Sequence, residues 1–307
     1  RIGGDSIISI QMVSKARLKG IHFAVKDVFN HPTIKNLATI AKTQENDLTF
    51  KPDQGVVIGD IPLTPIQHWF FKNNFEDKNH YNQAMLFQTS EKLLLSLLNQ
   101  AFSLLLSHHD VLRLRYHQDA RDEWKQTSLA ESKSFSVQEI DFSHLSENHL
   151  SQNIEEHSTL IQQTLNIENG PLIQVALFNC GEGSPQRLLI VIHHLVVDGV
   201  SWRILLEDLE ELYSKLARGE IPSLPSKTHS YQQWAQSLKE YASSQFLKAE
   251  VSYWQKILES SHPLPIDFNH GLATGESSHT ISLSLTEEET TQLLQRVPNA
   301  YRTEIND

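Results

Sequence analysis

The sequence predicts a mixed α and β fold, α+β or α/β in class, organised around one strand, one loop and one helix. Residues 188–192 (LLIVI) form an unbroken, mostly β-branched apolar run of strand length that ends at His193 and His194. After a short loop, Ile204, Leu205, Leu209, Leu212 and Leu216 recur at helical spacing until Gly219 stops the pattern. Strand-like and helical segments alternate through the rest of the chain without a nucleotide-binding βαβ fingerprint. Cys180-Gly181-Glu182-Gly183 lacks the strand-to-helix context such a loop requires.

From the N-terminus, Asp5 or Ser6 caps a helix whose apolar residues Ile7, Ile10, Val13 and Leu18 lie mostly on one side until Gly20. A short segment over 23–29 follows. His31-Pro32-Thr33 then starts a second amphipathic helix carrying Ile34, Leu37, Ala38 and Ala41. Three helical pieces in so short a stretch bury little surface by themselves. Residues 45–60 lose the periodicity and gain Gly, Pro, Asn and Asp, the composition of a linker. A proline-started helix at Pro65 brings Trp69 and Phe70, read as packing residues, and a strand follows over 85–89.

Residues 91–106 are apolar at helical spacing, through Leu94, Leu97, Leu98, Ala101 and Leu105. Strands are expected over 121–126 and 135–140, a polar amphipathic helix over 148–165, and a strand over 173–178. The turn at Gly181-Glu182-Gly183-Ser184-Pro185 returns the chain to the central strand. Beyond Gly219 come a proline-broken stretch over 221–227 and helices over 231–238 and 250–258, whose Trp234, Tyr253 and Trp254 read as core. Pro263-Leu264-Pro265 is a second break, 280–285 alternates like a strand, and Thr286 caps a helix running through Leu294.

Composition narrows the function. A chain of 307 residues can bury a sizeable core in one large or two smaller domains. No apolar run approaches the ~20 residues that span a bilayer, and RIGGDS is no signal peptide, so no membrane partner and a cytoplasmic location are expected. A net charge of −11 argues against nucleic acid. Residues 1–44 depart from that balance, with seven Lys/Arg against two acids; such asymmetry usually reflects solvated faces, and docking of this segment on the acidic remainder is the alternative reading. Cys180 is the only cysteine, which excludes an internal disulfide and a two-thiol racemase mechanism.

The candidate site is the loop after the central strand. Side chains alternate, so Ile190, Ile192 and His194 share one face while Leu189, Val191 and His193 share the other, and only one imidazole can face a given cleft. Asp198-Gly199 supplies a turn and Ser201 a helix cap. Free N–H groups from Gly199 to Ser201 would favour negative charge on a substrate oxygen, and a histidine beside them is a proton-transfer group. Two plainer readings stand beside this: a satisfied turn, or a pair of metal ligands. Zinc takes about three or four convergent ligands, and no His or Cys spacing elsewhere completes a site, so no metal is expected.

The whole string, HHLVVDGVSWRIL over 193–205, resembles the HHxxxDG core of the nonribosomal peptide synthetase condensation superfamily, and its Val-Ser-Trp-x-Ile-Leu continuation resembles the epimerization branch. Condensation members more usually read Gly-Trp-Ser after the aspartate. The opening Pro65-Ile66-Gln67-His68-Trp69-Phe70 and the following Tyr81-Asn82-Gln83 are similar to epimerization-domain motifs, as is 297–307. The His109-Asp110-Val111-Leu112-Arg113 stretch resembles the superfamily's His-x-x-Leu-Arg element. GGDSI with VFNHPTIKNLA resembles the second half of a peptidyl carrier protein.

The resemblance implies a chloramphenicol-acetyltransferase-like lobe over 61–262, the start of a second lobe over 263–307, and a partial carrier helical bundle over 1–44. It implies His194 as the acid/base, with His193, Asp198, Gly199, Trp202 and Arg113 supporting the loop, Arg113 by pairing with Asp198. Ser6 would bear 4′-phosphopantetheine, added by a phosphopantetheinyl transferase, and neighbouring synthetase modules would be partners. The implied reaction inverts the Cα of a carrier-bound aminoacyl or peptidyl thioester from L to D. Inversion also needs an acid/base on the opposite face, by resemblance a second-lobe glutamate. No matching motif occurs before Asp307, so the 307-residue chain is expected to be inactive alone. The alternatives are a condensation domain forming a peptide bond and a non-catalytic carrier-docking module. A pyridoxal racemase lacks an evident Schiff-base lysine or phosphate loop.

Overall fold

The computed structural model describes residues 8–9, 12–13, 15–16, 19–43, 53–73, 75–130, 135–262, 264–266 and 277–303. Contacts divide the chain into two units, Arg1–Ala249 and Glu250–Asp307. Ser6, the expected carrier serine, and the last residues of the 297–307 motif lie outside the described residues.

At the start of the first unit, residues 8–9, 12–13 and 15–16 are helical. Strand β1 (Ile21–His22) pairs antiparallel with β2 (Lys42–Thr43) around the short helices α1 (Val25–Asn30) and α2 (Ile34–Ile40). Thr33 starts α2 as expected, its hydroxyl accepting the Asn36 N–H at 3.2 Å. No described apolar side chain before Val57 is buried. Lys15 meets Glu207 at 3.6 Å, but both side chains are exposed and such a pair adds little.

The next elements build the site. They are β3 (Gly59–Ile61), α3 (Pro65–Lys72), β4 (Asn82–Gln88), α4 (Leu95–His108), a 3₁₀ turn (Asp110–Arg113), β5 (Leu114–Gln118), β6 (Trp124–Ser128), β7 (Gln138–Asp141), α5 (Glu147–Gln162), β8 (Ile173–Asn179), β9 (Arg187–His193), α6 (Gly199–Ala217) and α7 (Tyr231–Ala242). A four-stranded sheet runs β4-β9-β8-β7. Its first three strands are antiparallel, and β7 lies parallel to β8. A second, antiparallel sheet runs β3-β6-β5.

The alternation in β9 sorts the core into two layers. Leu188, Ile190 and Ile192 pack with Leu98, Ala101, Phe102 and Leu105 of α4 and with Trp202, Leu205, Leu209 and Leu212 of α6. Leu189 and Val191 pack with Ile154 and Ile161 of α5, Phe142, Phe178 and Cys180. The sheet is thus covered on both faces, which is why its central strand reads as a continuous apolar run rather than an alternating one.

Several boundaries depart from the sequence reading. The strand over 121–126 begins only at Trp124, because Asp119 draws the Arg121 and Glu123 N–H groups onto its carboxylate and Asp122 adopts φ +59° in the resulting turn. Its partner β5, which the sequence reading did not assign, begins at Leu114, directly after the His-x-x-Leu-Arg stretch. Of the expected linker, Gly59 and Asp60 already belong to β3, and the Gln54 side chain exchanges two hydrogen bonds with the Lys227 backbone. Trp234 is 56% exposed, so its apolar spacing marks a helix face without the covering partner that the core reading assumed.

Helix α8 (Gln245–Ser260) crosses the division between the units, which therefore falls inside a helix and not at the proline break over 263–265. Tyr253 and Trp254 on it stack edge to face at 5.2 Å and are also exposed, against the core reading. In the second unit Thr286 forms the expected capping box with Glu289, starting α9 (Glu287–Thr291), a π turn (Gln292–Arg296) and α10 (Val297–Tyr301). Residues 280–285 make no strand ladder among the described residues. Alternation prepares a face but does not supply the neighbouring strand that hydrogen bonding requires.

Candidate active site

The site forms where β9 ends. His193 closes the strand opposite Asn82, is fully buried, and packs edge-on against Phe70 at 6.0 Å. Both of its ring nitrogens are used. Nδ1 accepts the Leu195 N–H at 3.2 Å, so Nε2 carries the hydrogen and donates to the Lys78 carbonyl at 2.8 Å. Burial lowers its pKa to about 4, partly opposed by the Lys78 carbonyl, so the ring is neutral near pH 7. His193 is a structural member of the loop with no nitrogen left to exchange a proton.

His194 begins the turn and is half-buried. Its own N–H donates to the Tyr81 carbonyl at 2.8 Å, and the Tyr81 ring stacks on the imidazole at 5.2 Å with an 18° interplanar angle. Nδ1 lies 2.8 Å from the Val197 carbonyl, which can only accept, so Nδ1 bears the hydrogen and Nε2 the lone pair. The Gln83 amide nitrogen approaches that lone pair at 3.3 Å, while the Gln83 oxygen accepts the Trp202 indole N–H at 2.8 Å. Indole nitrogen only donates, which fixes which end of the amide faces which partner. In the ladder Gln83 sits opposite Ile192, so its side chain shares the face that Ile192 and His194 occupy.

Asp198 is the cap of α6, in place of the expected Ser201. One carboxylate oxygen accepts the Val200 N–H at 3.1 Å, the Ser201 N–H at 2.7 Å and the Ser201 hydroxyl at 2.7 Å. Burial pushes its pKa up, but these donors outweigh that effect and hold the carboxyl below the usual carboxylate range. The same bonds correct the expected oxyanion role. Two of the helix-start N–H groups offered to a substrate oxygen are occupied by the chain's own carboxylate.

Arg113 is 2% exposed and directs its guanidinium at backbone carbonyls. It donates to Leu106, to Ser107 at 3.0 Å, to Leu129 at 3.0 Å and to Val57 at 3.4 Å. The expected pairing with Asp198 is absent among the described ion pairs, because Arg113 pins the end of α4 and the residue that follows β6 while Asp198 turns to its own helix. The structure thus brings His193, His194, Asp198, Gly199 and Trp202 together and places Arg113 elsewhere.

A buried polar chain reaches the loop from another side. Gln67 of α3 exchanges amide bonds with Gln126 at 2.9 Å and donates to the Tyr116 hydroxyl at 3.0 Å, which in turn donates to the Leu195 carbonyl at 3.4 Å. Burial raises the Tyr116 pKa well above its ordinary value and keeps it a neutral donor. Gln83, Tyr81, Gln67 and Tyr116 are site residues to which sequence reasoning assigned no role. The motifs over 65–70 and 81–83 were the available signals for three of them.

The family model described as Condensation domain matches residues 57–307. The chain is 40% identical over 313 residues to tyrocidine synthase 2 of Brevibacillus parabrevis and 39% identical over 311 residues to chondramide synthase cmdD of Chondromyces crocatus. Both likenesses cover 100% of this chain, which spans only 8% of each of those proteins. Among solved structures, the epimerization domain from the third module of tyrocidine synthetase B is 39% identical with a TM-score of 0.73, over 84% of this chain and 57% of that one. The first condensation domain of the calcium-dependent antibiotic synthetase shares the fold, with a TM-score of 0.60 at 19% identity over 80% of this chain and 57% of that one. The mixed α and β, chloramphenicol-acetyltransferase-like architecture expected from the sequence is the fold observed.

Proposed function

The chain belongs to the condensation-domain family, and from that premise we propose that it acts in nonribosomal peptide synthesis by epimerizing the Cα of an aminoacyl or peptidyl thioester held on a carrier's phosphopantetheine arm. The observation that carries the proposal is the state of His194: Nδ1–H is committed to the Val197 carbonyl, and Nε2 presents a lone pair on the half-buried side of the loop. The likeness to an epimerization domain and the Val200-Ser201-Trp202 continuation support this branch over condensation.

In the proposed reaction the substrate Cα–H displaces the long Gln83 contact and its proton passes to His194 Nε2. The electron pair left on Cα delocalises into the thioester carbonyl as an enolate. The imidazolium so formed is held by Val197 on its far side and faces the new negative charge. Return of a proton to the same face restores the L form. Delivery by a second acid on the opposite face gives the D form, a role the family resemblance assigns to a glutamate of the second lobe.

The remaining parts of the reading are proposals of the same kind. Ser6 in Gly3-Gly4-Asp5-Ser6 carries the 4′-phosphopantetheine arm, with residues 1–44 as carrier and 61–262 as the first lobe. A phosphopantetheinyl transferase and neighbouring synthetase modules are its partners. A condensation reaction is the second reading, favoured by the description of the matching family model. Chirality analysis of the thioester released from the intact enzyme separates the two. A mixture of D and L residues that becomes wholly L in His194→Ala supports epimerization, and an amide product in place of an inverted thioester overturns it.

A further inference from the structure

We propose that His108, His109 and Asp208 form a binding site for one borderline divalent transition-metal ion, Zn2+ by preference, which ties the end of α4 to the middle of α6. The ligand atoms of the three residues lie within 4.8 Å of one another, and His109 Nε2 is 2.7 Å from the Asp208 carboxylate. Neighbouring residues on a helix point about 100° apart, so two adjacent histidines seldom share a ligand. Here α4 ends between them: His108 is its last residue, and His109 leaves with φ −94° and ψ 96°. That break brings the two rings to an edge-on arrangement with centroids 4.9 Å apart.

The third ligand comes from a residue 99 positions away, out of reach of any spacing rule in the sequence. Two imidazoles and one carboxylate are the donor set of Zn2+, Co2+ and Ni2+ rather than of Ca2+ or Mg2+, which favour oxygen. A tetrahedral ion with bonds of about 2 Å holds its ligand atoms roughly 3.3 Å apart, so the 2.7 Å His109–Asp208 hydrogen bond must open to admit it while the wider gap closes, an adjustment that side-chain rotation supplies, with water completing the shell. The site is neither sealed nor open, since the His109 and Asp208 side chains are 20% and 18% exposed. The nearby Lys227 ammonium is already engaged by the Gly55 carbonyl at 2.9 Å. None of the three ligands belongs to the His194 cluster, so an ion here would stiffen the packing of α4 and α6 without entering the reaction.

The test is calorimetric titration of the chelator-treated 307-residue chain with ZnCl2, alongside His108→Ala, His109→Ala and Asp208→Asn. One saturable site is expected, with an affinity in the micromolar range or tighter, and lost or weakened by at least about tenfold in each variant. Asp208→Asn preserves shape and a hydrogen-bond acceptor, and its far-ultraviolet circular dichroism checks that the fold survives. Titrating the unmutated chain with Co2+ supplies a readout free of mutation, because the ring protons of His108 and His109 should shift first and together. Absence of a saturable site, binding that the variants leave unchanged, or Co2+ shifts confined to other histidines would each overturn the proposal.

Discussion

The Gln83 amide nitrogen stands 3.3 Å from His194 Nε2, and the 2.8 Å bond from the Trp202 indole to the Gln83 oxygen leaves it no other orientation. A strand residue more than a hundred positions away thus joins a helix residue and a turn residue in determining which imidazole nitrogen keeps its lone pair. The Val197 carbonyl sets the same tautomer from the other side.

Replacing Gln83 by Leu should remove that control while leaving the buried shape nearly intact. Under the proposed function, kcat for inversion should fall about 10- to 100-fold, as expected when a reacting group is misplaced without being removed, and KM should change little. Gln83→Glu should differ in kind. A carboxylate beside Nε2 favours the imidazolium, so the acid limb of the pH profile should move to higher pH. Nitrogen-15 spectra of labelled histidine report the tautomer directly; an unchanged Nδ1–H signal in Gln83→Leu would show that Val197 suffices alone.

His193 predicts an acid-sensitive fold. Its pKa of about 4 in the folded chain lies below the ordinary value of 6.5, so the unfolded chain binds the extra proton first. The sign follows: stability is full above pH 6.5, declines as pH falls toward 4, and the loss from this group levels off below that. The shift corresponds to a penalty of about 3 kcal/mol at the acid end. Urea unfolding between about pH 7 and pH 4.5 should therefore show a shallower pH slope in His193→Gln than in the parent chain. Equal slopes would mean that the ring is not held neutral by burial.

What the sequence disclosed and what it concealed divide along a physical line. Strand β9, helix α6 and the opposed faces of His193 and His194 were legible because period and alternation are local. The partner of each group was not. Nothing local says that β4 lies antiparallel to β9 in the register that sets Gln83 opposite Ile192, or that Asp208 approaches His109. The two misassigned roles share one cause. Asp198 and Arg113 are charged residues at chain breaks, where the nearest unpaired backbone groups compete with any distant charge. In this fold the backbone wins both times.

That outcome makes a quantitative claim about Asp198 and Arg113. Asp198→Ala removes a helix cap and should cost about 1 kcal/mol, with Asp198→Asn recovering most of it. Arg113→Met leaves several buried carbonyls without donors and should cost about 3 kcal/mol or more; Arg113→Lys should recover little, since an ammonium cannot reproduce the planar fork. Two groups with separate partners should be independent. The double variant Asp198→Asn, Arg113→Met should therefore show the sum of the single losses to within about 0.5 kcal/mol in urea unfolding. A paired arrangement predicts instead that the second substitution costs much less once the first is made, because the partner charge is already gone. A coupling energy above about 1 kcal/mol would restore the ion pair that the family resemblance implies and overturn the separate roles of carbonyl anchor and helix cap.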